Sequence, residues 1–149
     1  MRFLYYDSVT LIEKEKSITG IKTFSLSEEF LRGHFSKIAF VPGVIFIEAM
    51  AQLLGWLIIH SHEFKLSAIM SLVENTNIPS KLRPGFKAEI QGEIISTTKN
   101  DSLGKAKILV DGKTIASMDR IIYSHFHNVN SEDLKKLFSY YGGNTAKEL

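Results

Sequence analysis

The chain has 149 residues, a formal net charge of +2, no cysteine and a hydrophobic fraction of 44%. That size and composition fit one globular domain with a sizeable core and exclude a disordered chain. The lack of thiols excludes disulfides, thiolate metal sites and a cysteine nucleophile, and so small a charge gives no basis for nucleic-acid binding.

Residues 1–7 show no signal-peptide apolar region, which points to a cytoplasmic protein. Residues 8–24 read as two strands around the charged turn Glu13-Lys14-Glu15-Lys16. Ser27 is expected to cap a short helix through Phe30 and Leu31. Residues 36–41 read as loop, followed at Pro42-Gly43 by a long apolar helix that ends near His60-Ser61-His62. Residues 44–59 come close to a membrane span in length and apolarity. Glu48 and Gln52 interrupt that run, and it falls short of the roughly 20 residues a bilayer needs. A helix buried in a globular core is the better account, so no membrane span is expected.

From Leu66 the period changes to that of strands. Residues 66–73 read as one, and Pro79 and Pro84 bracket a non-strand or edge segment. Ala88, Ile90, Gly92 and Ile94 alternate with Glu89, Gln91 and Glu93, as in a strand with one wet face. Residues 99–104 read as a turn, and Asp111-Gly112 as a two-residue hairpin between two further strands. Leu134, Leu137, Phe138 and Tyr141 share one face of a short C-terminal helix, after which a frayed tail is expected. Strands, one buried helix and more antiparallel strands argue a single α+β domain over residues 1–149, with the helix and tail at 131–149.

Glu48 lies inside the most apolar stretch of the chain, where a carboxyl is costly unless neutral or partnered. His34 lies shortly upstream. An imidazole basic near neutral pH and an acid whose proton affinity apolar surroundings would raise suggest acid–base chemistry in an apolar pocket. Gln52 stands one helical turn beyond Glu48 and can orient its carboxyl. His125 and His127 could share a strand face, but without an acidic or thiol ligand beside them no metal site is expected.

Gly33-His34-Phe35, Val41-Pro42-Gly43-Val44 and Glu48-Ala49-Met50-Ala51-Gln52 match, in order and spacing, the signature of the β-hydroxyacyl-(acyl-carrier-protein) dehydratases. The chain resembles that family over about residues 5–125. Ser36 and Ala39 stand where the family usually has prolines, residues 75–81 replace a basic, aromatic run, and Phe86 replaces a common acid. The resemblance implies a hotdog fold, an antiparallel sheet wrapped around the central helix. It implies removal of water from β-hydroxyacyl thioesters, with His34 as base and Glu48 as acid, in fatty-acid or related lipid or polyene synthesis. It places thioester positioning at Gly43 and Val44 and, with Gln52, completes the site. Phe35, Phe40, Ile45 and Phe46 are candidates for the acyl tunnel. Lys37, Lys81, Arg83 and Lys87 are candidates for docking acyl carrier protein. No cofactor is implied. In the family the site is shared between paired subunits, so a homodimer is expected, and three dimers often form a hexamer. A hotdog thioesterase and a non-catalytic acyl-binding or partner subunit are the alternatives.

Overall fold

The expected first hairpin forms from β1 (Ser8–Glu13) and β2 (Ser17–Phe24), with Ser8 opposite Ile21 and Glu13 opposite Ser17. The structure is a computed structural model describing residues 4–32 and 37–149. The next segment corrects the expectation at Ser27. The short helix is a 3-10 turn at Glu29–Leu31, and the Ser27 hydroxyl bonds that of Ser25 at 2.9 Å instead of capping it. Three residues offer too few backbone bonds for an α-helix to nucleate there.

The long helix α1 (Gly43–Ser61) carries most of the core. Pro42 precedes its first turn, and Val41 N–H donates to Leu82 O at 2.9 Å, tying the entry loop to the 78–85 segment. β3 (Ser67–Asn77), β4 (Phe86–Thr97), β5 (Asp101–Val110) and β6 (Lys113–Phe126) follow. β3 runs past its apolar half because Glu74, Thr76 and Asn77 stay paired with Arg120, Met118 and Ser117 of β6. A Glu74–Arg120 ion pair at 3.2 Å crosses the same two strands. β5 starts earlier than expected, at Asp101, because the Thr98 hydroxyl and N–H close the turn on Asp101. Asp111 and Gly112 have φ of 51° and 77°, the left-handed pair that a two-residue hairpin demands.

A short helix, α2 (Ser131–Tyr140), and a two-residue strand, β7 (Lys147–Glu148), complete the chain. The sheet order is β3-β6-β5-β4-β2-β1-β7, antiparallel except for the parallel β1–β7 pair. The tail is therefore not frayed. Leu149 N–H donates to Ile12 O at 3.0 Å, and Gly142 takes a φ of 86° beside Asp7 and Ser8. On α2, Phe138 is buried and Leu134 packs on the core, as does Tyr141 just after the helix, but Leu137 remains 39% exposed at the edge of that face.

The sheet wraps α1, the hotdog arrangement, and two glycines permit the close approach. A Cβ at Gly20 would come within 3.0 Å of Leu53, and one at Gly104 within 2.8 Å of Leu54. Both leucines are fully buried. Among the described residues α1 is the one helix long and apolar enough to cross a membrane, and 67% of that apolar window is buried inside the fold.

Candidate active site

Glu48 and Gln52 stand one turn apart on a single stripe of α1. Glu48 and Gln52 are half-buried rather than fully enclosed, because they open onto a cleft of about 460 Å³ between α1, β3 and the segment at Leu4. Gln52 Nε2 donates to Glu48 Oε1 at 2.9 Å, and Gln52 Oε1 accepts the Tyr5 N–H at 2.9 Å. A backbone N–H can only donate, so it fixes the amide's orientation and turns the Gln52 NH₂ toward the carboxyl.

Tyr123, from β6, closes the cleft beneath this pair. Its hydroxyl donates to Ala51 O at 2.7 Å. Burial, and secondarily the charge of Glu48, push its phenol well above the usual tyrosine range, so it serves as a neutral donor. The rest of the lining is largely apolar and includes Gly55, Trp56, Ile59, Met70 and Tyr141.

Gly43 opens α1, and the first-turn N–H groups have no acceptor within the helix. A Cβ at Gly43 would stand 2.8 Å from Ile78 Cγ2, so glycine lets the 78–85 segment cross the helix start. Val44 is 64% exposed beside it. The tunnel candidates separate. Phe46 is fully buried and packs on the Phe24 ring at 5.4 Å, inside the subunit core. Ile45 is also buried, and Phe40 is half-buried on the entry loop. Lys37, Lys81, Arg83 and Lys87 are all exposed. His34 and Phe35 lie outside the described residues.

The FabA-like domain family matches residues 1–119, well over half of the chain. The chain belongs to the FabA-like domain family. Within it, the chain is 30% identical over 119 residues to the 3-hydroxyacyl-[acyl-carrier-protein] dehydratase FabZ of Bacillus subtilis, covering 78% of this chain and 84% of that one. Among solved structures, this FabA-like domain superposes on the dehydratase heterocomplex ApeI:P from Xenorhabdus doucetiae with a TM-score of 0.65 at 17% identity, over 91% and 90% of the two chains. A thioesterase from Haemophilus influenzae is similar with a TM-score of 0.59 at 13% identity, over 78% and 76%. These two likenesses support the hotdog fold.

Several residues at the site escape sequence reading. Trp56 lies two helical turns from Glu48, so helical spacing alone could have placed it on the same stripe. Tyr123 and the Tyr5 N–H come from distant strand and loop positions, and no local pattern announces them. Elsewhere, Lys22 of β2 is only 7% exposed and pairs with the half-buried Glu28 at 2.8 Å.

Proposed function

We propose that the chain is a β-hydroxyacyl-(acyl-carrier-protein) dehydratase acting in the cytoplasm. The observation that carries this reading is the oriented Glu48–Gln52 pair at the head of an apolar cleft, on the helix that Pro42-Gly43 opens. Family membership and the FabZ relatives support the substrate class.

In this mechanism neutral His34 removes a proton from the carbon between the thioester carbonyl and the hydroxyl-bearing carbon. Negative charge develops on the thioester oxygen, where first-turn N–H groups of α1 at Gly43 and Val44 donate. The C–O bond to the hydroxyl breaks as Glu48 gives it a proton, and water leaves with a trans-2-enoyl thioester behind. Gln52 occupies Glu48 Oε1, so the proton is delivered from Oε2. The reverse hydration follows the same path. The reaction as written moves two protons and no electrons to an acceptor, so it calls for no redox cofactor.

His34 and Glu48 of one site come from opposite subunits of a homodimer in this reading. Edge strand β3 supports it, since Ile69 is 56% and Leu72 43% exposed there. Acyl carrier protein docks at a basic mouth formed by Lys37, Lys81, Arg83 and Lys87, and no ion pair holds those four side chains among the described residues.

The test is mass spectrometry of carrier-bound β-hydroxyacyl substrates incubated with wild type and with His34→Ala. Loss of one water, abolished by the substitution, is expected. Release of free acid would replace the reading with a thioesterase, and intact substrate with an acyl-binding subunit.

A further inference from the structure

The cleft below Glu48 is walled in part by a segment beyond the family match. That match covers residues 1–119, whereas Tyr141 lines the cleft together with Glu48. Along α1 the lining positions run from Glu48 through Ala51, Gly55 and Trp56 to Ile59. Helical spacing puts them on one stripe, about 16 Å long at the rise of an α-helix. The head of the stripe is polar, with Glu48 and Gln52. Its middle is floored by small residues, and a Cβ at Gly55 would already touch the Tyr123 ring at 3.7 Å. Past Glu48, no residue lining the cleft among the described residues carries an acidic or basic side chain.

Two large rings, Trp56 and Tyr141, line the apolar stretch of this trough. Trp56 stacks on Phe138 of α2 with centroids 5.2 Å apart, and Tyr141 follows Phe138 by one helical turn. Tyr141 is held firmly. The next residue, Gly142, takes a left-handed turn that leaves no room for a Cβ beside Asp7 and Ser8. Gly142 O accepts the Val9 N–H at 3.1 Å, and the Thr145 hydroxyl donates to Val9 O at 2.8 Å. The β1–β7 pair then locks the chain end. A side chain so anchored can set a volume, which a wandering tail cannot.

We propose that Tyr141 is the end stop of the acyl pocket and limits the chain length of the substrate, an inference that rests on the dehydratase reading. The occupant is the hydrocarbon tail of a β-hydroxyacyl group. Its hydroxyl sits at the polar head by Glu48, and its terminal methyl meets Trp56 and Tyr141.

The test is kcat/KM for dehydration across a series of β-hydroxyacyl carrier substrates of increasing length, with wild type, Tyr141→Ala, Tyr141→Phe and Tyr141→Trp. Tyr141→Ala should raise the long-to-short ratio about tenfold, the scale on which an apolar pocket discriminates added methylenes. Tyr141→Trp should lower it, and Tyr141→Phe should keep the wild-type profile. An unshifted ratio, or equal losses at every length, overturns the proposal. A β-hydroxyacyl pantetheine carrying a photoreactive group at the chain end reads the pocket without turnover. Labelling of the peptides bearing Trp56 or Tyr141 is expected, and labelling elsewhere or none overturns the assignment. Labelling there in a wild type that dehydrates nothing would sink the dehydratase reading and leave the pocket standing.

Discussion

Gln52 bridges Glu48 and the backbone of Tyr5, with 2.9 Å on each side. One amide therefore ties the N-terminal segment to the proposed acid, and its two ends cannot be exchanged. Gln52→Leu keeps the volume but removes both bonds. Losing one oriented hydrogen bond of roughly 1 kcal/mol should lower kcat about threefold to tenfold, with KM little changed. Steady-state kinetics on a carrier-bound substrate measures this, and an equal loss confined to KM would mean that Gln52 binds substrate instead of orienting Glu48.

Glu48→Gln tests the acid itself. The amide retains the size and the partner but has no acidic proton to give. Dehydration should fall by about 10²–10⁴-fold, the usual contribution of a positioned acid. The thermal transition should move little, since Glu48 opens onto the cleft and is not sealed in the core. Activity close to wild type would remove Glu48 from the mechanism.

Most of the fold could be read from local pattern because the elements carry it themselves. α1 follows from a long apolar run after Pro42-Gly43, interrupted only by Glu48 and Gln52 before His60, and the β5–β6 turn from Asp111-Gly112, whose φ values are those the turn type needs. What escaped reading depends on contacts distant in sequence. β7 is a strand only because β1 offers an edge beside it, and nothing in Lys147-Glu148 favours extension. Glu48 and Gln52 were legible as a helical pair, yet the Tyr5 N–H that orients them comes from 47 residues away. Tyr141 was legible as part of an apolar helix face, but its place in the cleft depends on where α2 docks.

Gly104 shows how closely sheet and helix approach. A Cβ there would stand 2.7 Å from Glu93 O and 2.8 Å from Leu54 Cδ2. The first of these is backbone and cannot rotate away. Gly104→Ala should cost about 1–3 kcal/mol, as overpacking of a filled core does. Urea unfolding of wild type and variant measures it, and an unchanged midpoint would show that the strand shifts freely away from α1.

Phe138 anchors α2 to the domain. Its ring meets Trp56 at 5.2 Å, Phe64 at 5.7 Å and His60 at 6.2 Å. Phe64 has a φ of 59°, unfavourable for a bulky side chain, so its packing on Phe138 helps to hold that conformation. Phe138→Ala should destabilise by about 3–5 kcal/mol. Hydrogen exchange should show the loss concentrated in residues 131–149. A uniform loss across the sheet would mean that the segment is not a separately opening unit.

A hydrogen-bonded relay joins His62, at the end of α1, to His125 on β6. His62 Nε2 lies 2.7 Å from Thr97 Oγ1, which lies 2.7 Å from Ser102 Oγ, itself 2.8 Å from His125 Nε2. Lys99 O, an acceptor, lies 3.1 Å from His125 Nδ1, so with both rings neutral the proton sits on Nδ1 and every hydroxyl donates toward His125. Burial, then the charge His125 would carry, hold the His62 imidazole below its ordinary value of 6.5; His127 and Lys14 act in the same direction and Glu15 opposes them. The folded chain therefore binds this proton more weakly than the unfolded chain. The stability contribution is intact above about pH 6.5 and declines as the pH falls below it, because the unfolded state takes up the proton first. Urea midpoints should drop between pH 7.5 and pH 5.5, and His62→Gln, which keeps a donor for Thr97, should flatten that drop. An identical pH slope in the variant would assign the loss to other groups.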